Sequence, residues 1–234
     1  MVSVIIAAAG SAVRMGGIKK QLLEIDRCPI LVRSVLAFCS EEDIDEIVVV
    51  VKKEDLEEYR KLLESYAMEK PCKVVAGGDT RQSSVLAGVL AVDPKATYLC
   101  IHDGARPFVD AREIRAVLFD GVRYGAATLG VKVKDTVKQA DAAGFVVATP
   151  DRDTLYQIQT PQVFRKDLYL AAVKTAAKDY SDDCQLVEAV GHRVFITPGS
   201  YDNIKITTPE DLLLAYMIDD KLKGRTDYAD RTRI

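Results

Sequence analysis

Several residue types and patterns are scarce in this sequence, and each absence argues against a class of protein. The chain of 234 residues has two histidines and no GxSxG motif, so acyl transfer and histidine-based hydrolysis are poorly supported. Its five cysteines include no CxxC pair, which argues against a zinc site or a disulfide frame and is typical of a reduced, cytoplasmic protein. No apolar run reaches about 18 residues, so no membrane association is expected.

Charge is also nearly balanced, at 32 Lys and Arg against 35 Asp and Glu, for a formal net charge of -3. Binding to a nucleic-acid backbone needs a basic face, so we expect no nucleic-acid partner. The hydrophobic fraction of 48% is too high for a disordered chain. We predict a single domain over residues 1–234, with enough apolar residues for a sizeable core.

Apolar runs alternate with helical patterns along most of the chain. The run at 46–51 is rich in β-branched residues, which predicts a strand covered on both faces. Alternating strands and helices predict a doubly wound, mostly parallel α/β sheet that binds ligands beyond the carboxyl ends of its strands. We predict strands at 4–7, 46–51, 73–76, 97–101 and 193–197, and helices at 29–38, 54–67, 81–90, 111–122, 166–177, 182–190 and 209–219.

A different pattern occupies about 132–156. Residues 131–134 and part of 145–149 alternate with period two around a turn at 142–144, which predicts a β-hairpin. This hairpin has few large apolar residues to pack on the main core. We therefore expect a projecting arm that is covered by a second subunit.

The loop after the first strand, 8–21, combines small residues with Arg14, Lys19 and Lys20. Exposed backbone N–H groups beside fixed positive charge suit a polyphosphate. The loop is neither a Walker loop nor a GxGxxG fingerprint. Two interpretations therefore stay open from the composition alone: a phosphate site, or a glycine-rich turn with solvated basic residues.

Two later loops also follow predicted strands. One contains Gly77, Gly78 and Ser84, where free N–H groups and a hydroxyl at the start of a helix could contact a ligand or simply cap the helix. The other contains Asp103 and Arg106, which suit hydroxyl or metal contact and phosphate contact, or a salt-bridged turn. We interpret His102 as structural. Phosphate chemistry needs no general base, since a substrate phosphate is already an anion.

These motifs, taken in order, resemble the 2-C-methyl-D-erythritol 4-phosphate cytidylyltransferases, enzymes of the non-mevalonate isoprenoid pathway. The resemblance covers nearly the whole chain and rests on blocks that occur in the family's order. They are Ala8-Ala9-Gly10-Ser11 with Arg14 and Lys20-Gln21, Gly77-Gly78-Asp79-Thr80-Arg81 with Ser84, His102-Asp103-Gly104-Ala105-Arg106-Pro107, Lys134-Asp135-Thr136, Asp151-Arg152, Thr160-Pro161-Gln162, and 203–211.

The resemblance implies a Rossmann-like nucleotidyltransferase fold, with the hairpin as a dimerisation arm. It also implies transfer of CMP from CTP to methylerythritol phosphate with Mg²⁺, releasing pyrophosphate. Mg²⁺ is expected on the CTP phosphates, with Asp103 as a possible ligand. By motif, the catalytic residues would be Arg14, Lys20, Arg152 and Lys205; the CTP-binding residues Ala8, Ala9, Gly10, Ser11, Gly77, Gly78, Asp79, Arg81 and Ser84; and the acceptor-binding residues Asp103, Arg106, Asp135, Thr136 and Thr160.

Three positions depart from the family's pattern. Ala12 stands where Gly is usual, Lys19 where Pro is usual, and Gly104 where many relatives have Ala. Two other functions stay open as alternatives. One is a cytidylyltransferase acting on ribitol 5-phosphate, and the other is a CTP-binding regulator without catalytic activity.

Overall fold

The computed structural model describes residues 1–10 and 19–224. Arg14, Ser11 and Ala12 therefore lie outside the described residues. The helices are α1 (Ile30–Cys39), α2 (Leu56–Glu64), α3 (Arg81–Ala91), α4 (Ala111–Tyr124), α5 (Lys166–Thr175), α6 (Asp183–Glu188) and α7 (Pro209–Leu222). The strands are β1 (Val2–Ala7), β2 (Glu24–Ile25), β3 (Cys28–Pro29), β4 (Glu46–Val51), β5 (Cys72–Ala76), β6 (Tyr98–Asp103), β7 (Ala126–Lys132), β8 (Gln139–Ala140), β9 (Val146–Ala148), β10 (Tyr156–Arg165) and β11 (Phe195–Pro198).

A seven-stranded sheet in the order β11-β7-β10-β6-β1-β4-β5 forms the centre of the fold. β10 is antiparallel to both of its neighbours, β6 and β7, and the other pairings in this sheet are parallel. The doubly wound, mostly parallel sheet predicted from the sequence is confirmed. Of the helices in the described residues, none is long and apolar enough to cross a membrane.

Helices pack on both faces of this sheet, as its apolar runs require. On one face, α1, α2 and α4 pack against alternate residues of β1 and β4 such as Ile6 and Val49. On the other, α3, α5 and α6 cover the intervening residues, including Ile5 and Val50. Every residue of β4 is buried. A Cβ at Gly88 of α3 would lie 2.6 Å from Ile5 Cγ2, so the missing side chain lets α3 approach the sheet closely.

Two strands of the central sheet were missed in the sequence, and one prediction was wrong. Val131 and Lys132 end β7 of the central sheet and do not form the first strand of the hairpin. β10 was missed because its interior includes polar residues and a proline, which hide its strand pattern. Gln159, Thr160 and Gln162 are nevertheless buried there. The helix predicted at 54–67 is shorter and begins with a 3₁₀ turn, Lys53–Asp55.

The arm lies between β7 and β10 and contains the two-stranded ladder β8–β9. Asp141 makes its turn, because Oδ1 accepts hydrogen bonds from the backbone N–H groups of Ala143 and Phe145 at 3.0 and 2.9 Å. Gly144 completes the turn at φ 90°. Phe145 is 72% exposed, and Val146 and Val147 are also exposed. The arm thus presents apolar side chains that this chain does not cover.

Candidate active site

A cavity of about 540 Å³ opens at the edge of the sheet where β1, β4, β5 and β6 end. The loops that follow these strands form its wall, together with the segment around Lys205. The described residues that line it are Ala7, Ala9, Gly10, Lys20, Gln21, Lys52, Lys53, Glu54, Gly77, Gly78, Asp79, Thr80, Arg81, Ser84, Asp103, Ala105 and Lys205. Cations outnumber acids in this set, so the cavity suits an anionic ligand although the whole chain is slightly acidic.

The short 3₁₀ helix Lys20–Leu22 holds the end of the first loop in place. Lys20 Nζ donates a hydrogen bond to the carbonyl oxygen of Ile206 at 2.9 Å. Gln21 is buried, and its Nε2 donates to the carbonyl oxygen of Ala8 at 3.0 Å. These two contacts tie the loop both to the end of β1 and to the segment that follows β11.

Lys19, which stands where the resembled family usually has proline, contacts α2 and its preceding turn. Its Nζ lies 2.6 Å from Asp55 Oδ1 and 2.5 Å from Glu58 Oε2. Lys19 is therefore committed to these two carboxylates, whereas Lys20 lines the cavity. The assignment of Lys20 as the phosphate-facing lysine stays a prediction.

The start of α3 forms the wall on the β5 side. Thr80 caps the helix, with its Oγ1 accepting from Ser83 N at 3.1 Å. Ser84 Oγ donates to the carbonyl oxygen of Gly78 at 3.1 Å. A Cβ at Gly77 would lie 2.7 Å from Ser84 Oγ and 2.9 Å from Ala9 Cβ, so glycine is required for this close approach. The result is a narrow cleft between two backbone loops.

Arg81 begins α3 and lines the same cavity, and its guanidinium is held by an ion pair on the side away from the cavity. Arg81 Nη2 lies 2.7 Å from Asp183 Oδ2, at the start of α6. The hydroxyl of Tyr169 donates to Asp183 Oδ1 at 2.7 Å. Arg81 is thus oriented by a buried carboxylate, which itself is held by a buried tyrosine.

Asp103, the last residue of β6, is the buried acid of the site. Its Oδ2 lies 2.9 Å from Lys205 Nζ and 3.3 Å from Arg106 Nε. Burial alone would raise the pKa of Asp103, but the charges of Lys205, Arg106 and Arg81 outweigh it and hold the pKa well below its ordinary value. Asp103 is therefore a carboxylate at every physiological pH, and it positions Lys205.

Behind Asp103, a buried hydrogen-bond chain joins β6 to β10. His102 Nε2 lies 3.0 Å from the carbonyl oxygen of Arg106, which can only accept, so we assign the proton to Nε2. His102 Nδ1 then accepts from Thr160 Oγ1 at 3.1 Å, and Thr160 Oγ1 accepts from Asp103 N at 3.0 Å. Burial lowers the pKa of His102 to about 4, so the ring is neutral. This agrees with its interpretation as a structural residue.

Asn203 extends this network toward Lys205. Its Nδ2 donates to the carbonyl oxygen of Thr160 at 2.9 Å, and its backbone carbonyl oxygen accepts from Arg106 Nη1 at 2.7 Å. Asn203 is fully buried. The segment that carries Lys205 is therefore fixed by buried hydrogen bonds rather than by packing alone.

The structure brings most of the residues proposed for CTP to one cavity. Ala9, Gly10, Gly77, Gly78, Asp79, Arg81 and Ser84 line it, as do Lys20, Asp103 and Lys205. Among the remaining predicted residues, Ala8, Arg106 and Thr160 are buried just behind the wall. Thr160 in particular uses its hydroxyl on Asp103 and His102, so its proposed contact with the acceptor stays a prediction.

Three predicted residues lie on the exposed arm and do not line this chain's cavity: Asp135, Thr136 and Arg152. Arg152 Nη1 donates to the carbonyl oxygen of Lys134 at 3.1 Å, within the arm itself. The roles given to Arg14 and Ser11 fall outside the described residues.

Lys52 and Lys53 also line the cavity, and no motif pointed to them. The signal was nevertheless present, because both follow directly on the fully buried strand β4. Residues at the carboxyl end of a parallel strand face the usual ligand edge of the sheet.

The described residues of the cavity can neutralise negative charge and orient a ligand. Transfer between phosphates requires both of these.

Comparison with known proteins gives a consistent result. A family model described as 2-C-methyl-D-erythritol 4-phosphate cytidylyltransferase matches residues 2–220. A protein of that name from Caldanaerobacter subterraneus subsp. tengcongensis is 44% identical over 219 residues, covering 92% of this chain and 96% of its own length. The chloroplastic protein of that name from Oryza sativa subsp. japonica is 41% identical over 218 residues, covering 92% of this chain and 73% of its own length.

Among solved structures, the chain is similar to the 4-diphosphocytidyl-2C-methyl-D-erythritol synthase from Anaerococcus prevotii. The TM-score is 0.83 at 35% sequence identity, and the match covers 93% of this chain and 95% of the other. Similarity of fold and sequence therefore extends over more than nine-tenths of the chain.

Proposed function

The chain belongs to the 2-C-methyl-D-erythritol 4-phosphate cytidylyltransferase family, and from this membership we infer that it is a cytidylyltransferase of the non-mevalonate isoprenoid pathway. It transfers CMP from CTP to 2-C-methyl-D-erythritol 4-phosphate. The products are 4-diphosphocytidyl-2-C-methyl-D-erythritol and pyrophosphate. The observation that carries this conclusion is the convergence of Lys20, Lys205 and Asp103 on one cavity at the carboxyl edge of the sheet.

In the reaction, an oxygen of the acceptor phosphate attacks the α-phosphorus of CTP. The bond from this phosphorus to the bridging oxygen breaks, and that oxygen leaves with the pyrophosphate. No proton has to be removed from the acceptor, so no general base is needed. Lys20 stabilises charge on the CTP phosphates, and Lys205, held by Asp103, binds the acceptor phosphate. Arg14 is proposed to assist Lys20.

The nucleotide lies against the backbone loops after β1 and β5. The absence of a side chain at Gly77 opens the cleft beside Ala9, and Ser84 supplies a hydroxyl there. Ala8, Gly10, Ser11, Gly78, Asp79 and Arg81 complete the proposed CTP site. Arg81 is pre-oriented by Asp183, so little side-chain entropy is lost on binding.

We propose that the protein is a homodimer joined through the arm. The exposed apolar residues Phe145, Val146 and Val147 support this proposal, since a second subunit would cover them. Asp135, Thr136 and Arg152 would then reach the cavity of the neighbouring subunit. Arg152 would bind the acceptor phosphate there, and Thr136 would line its pocket together with Arg106 and Thr160. A cytoplasmic location remains a prediction.

The metal is proposed to be Mg²⁺, which would neutralise charge on the triphosphate when bound. In the described residues, no group of three or more His, Cys, Asp or Glu side chains could hold a metal by itself. Mg²⁺ in nucleotide sites is commonly bound by phosphates and one or two carboxylates. Asp103 could be one such carboxylate. Both of its ion pairs use Oδ2, so Oδ1 remains for a contact with the metal.

Two alternatives are not favoured by the family membership: a ribitol 5-phosphate cytidylyltransferase and a non-catalytic regulator. Pyrophosphate release from CTP and Mg²⁺ should be measured with methylerythritol 4-phosphate and with ribitol 5-phosphate as acceptors. We expect release with the first only. Release only with the second would contradict the proposed acceptor. Binding of CTP without turnover of either would contradict the catalytic function.

A further inference from the structure

Lys52 and Lys53 form a charged surface on the β4 side of the cavity, and neither has an assigned role. They follow β4 directly, and both line the cavity. Their side chains form no ion pair or hydrogen bond with another described residue, and the nearby cavity acids Glu54 and Asp79 are not paired with them. Residues 11–18 contain no acidic residue, so the first loop cannot supply a carboxylate partner.

This arrangement differs from that of the other cavity cations. Lys205 is paired with Asp103, Arg81 is paired with Asp183, and Lys20 donates to the Ile206 carbonyl oxygen. Two adjacent lysines with no anion beside them repel each other. An anionic ligand that binds between them would relieve this repulsion. Such a pair at a cavity wall suits a ligand with several negative oxygens.

The order of the strands places these lysines on the opposite side of β1 from Asp103 and Lys205. β1 lies between β6 and β4 in the sheet. Asp103, at the end of β6, fixes Lys205 on one side, whereas Lys52 and Lys53 lie beyond the other neighbour of β1. Neighbouring strands are about 4.8 Å apart, so the two sides are separated by about 10 Å across the strand ends.

In-line transfer requires the leaving group to depart opposite the attacking oxygen. On the proposed function, Lys205 holds the acceptor phosphate on the β6 side. The β- and γ-phosphates of CTP must then point away from Lys205, toward the loop after β4. We propose that Lys52 and Lys53 bind these two phosphates and the pyrophosphate product, and so complete the leaving-group half of the site.

The test is a comparison of ligands that share or lack these phosphates. Binding of inorganic pyrophosphate, CTP and CMP should be measured by calorimetry with Mg²⁺ for the wild type and for the double variant Lys52→Met/Lys53→Met. We expect the dissociation constant of pyrophosphate to rise about tenfold or more, and that of CMP to change less than about twofold. The KM for CTP should rise more than kcat falls.

Two further variants serve as controls. Lys95→Met/Lys174→Met removes the same charge from exposed positions that do not line the cavity, and should leave pyrophosphate binding unchanged. Lys52→Arg/Lys53→Arg keeps the charge and should retain most of the affinity. Unaltered pyrophosphate binding by the Lys52→Met/Lys53→Met variant would overturn the proposal. So would an equal loss for CMP, because the lysines would then contact the nucleoside or the α-phosphate.

This proposal depends on the proposed function only for the direction of attack, and the two can fail separately. Absence of pyrophosphate release by the wild type from CTP and methylerythritol phosphate would contradict the function. Loss of pyrophosphate binding in the double variant would still support the lysine site in that case. Normal wild-type turnover together with unchanged pyrophosphate binding in the variant would refute the lysine site alone.

Discussion

The buried imidazole of His102 makes the stability of the fold dependent on pH in a way that can be calculated. Burial lowers the pKa of His102 from its ordinary value of 6.5 to about 4 in the folded protein. The unfolded chain takes up this proton at higher pH than the folded chain does. The stabilising contribution is therefore complete above pH 6.5 and is lost as the pH falls toward 4.

The size of the effect follows from these two pKa values. Between pH 7.5 and pH 5.5, linkage gives a loss of about 1.3 kcal/mol in the free energy of unfolding. Ordinary carboxyl groups titrate mostly below this interval, and Glu113 is the one described acid whose pKa burial raises toward it, so most of the change should come from histidine. Urea unfolding at a fixed protein concentration, at half-unit steps of pH, measures it.

The chain supplies its own control, since it has two histidines and the second, His192, is only partly buried. His102→Gln should be less stable at pH 7.5, because Thr160 and the Arg106 carbonyl oxygen lose their ring partner. It should also lose most of the pH dependence. His192→Gln should behave as the wild type does. If His102→Gln kept the wild-type slope, the assignment of a buried, neutral ring would be wrong.

Three further changes test the site directly. Lys20→Ala should lower kcat/KM about a hundredfold or more in a pyrophosphate-release assay, the scale of losing one charge-stabilising group, and wild-type turnover would contradict its role. Arg152→Ala should mainly raise the KM for the acceptor and leave CTP binding almost intact. A large loss of CTP affinity, measured by calorimetry, would contradict the role proposed for Arg152. Asp103→Asn should destabilise the fold by about 3 kcal/mol in urea unfolding. This is the low end for a broken buried pair, because Lys205 can turn to water, and an effect as small as that of Asp79→Asn would contradict the ion-pair geometry.

The sequence predicted the parts of this fold in which local pattern and tertiary environment agree. The buried run of β4 was placed at its true ends, Glu46–Val51, because β-branched residues covered on both faces leave a continuous apolar signal. The capped start of α3 at Arg81 was equally clear, since Gly77, Gly78 and Thr80 mark the turn and the cap.

The sequence was least informative where buried polar groups satisfy one another. Gln159, Thr160 and Gln162 show no strand pattern in the sequence, yet they lie inside β10 with partners on β6 and around Asn203. Such pairing is invisible until the distant partners are known. Lys52 and Lys53 were missed for another reason: two lysines after a strand are ordinary in composition, and only the shared cavity distinguishes them.

The arm joins the central sheet at a single point, so the fold of the sheet does not depend on the arm. Lys132 at the end of β7 and Tyr156 at the start of β10 are direct partners in the ladder, and Val133 N donates to the carbonyl oxygen of Leu155 at 3.1 Å one step beyond them. The chain therefore departs and returns at one point, as in an ordinary hairpin. A tight two-residue connection could replace the intervening arm without changing the register of any strand. On the proposed dimer, the shortened chain should fold around the same core and be monomeric, so that the part of the site carried by one subunit could be studied on its own.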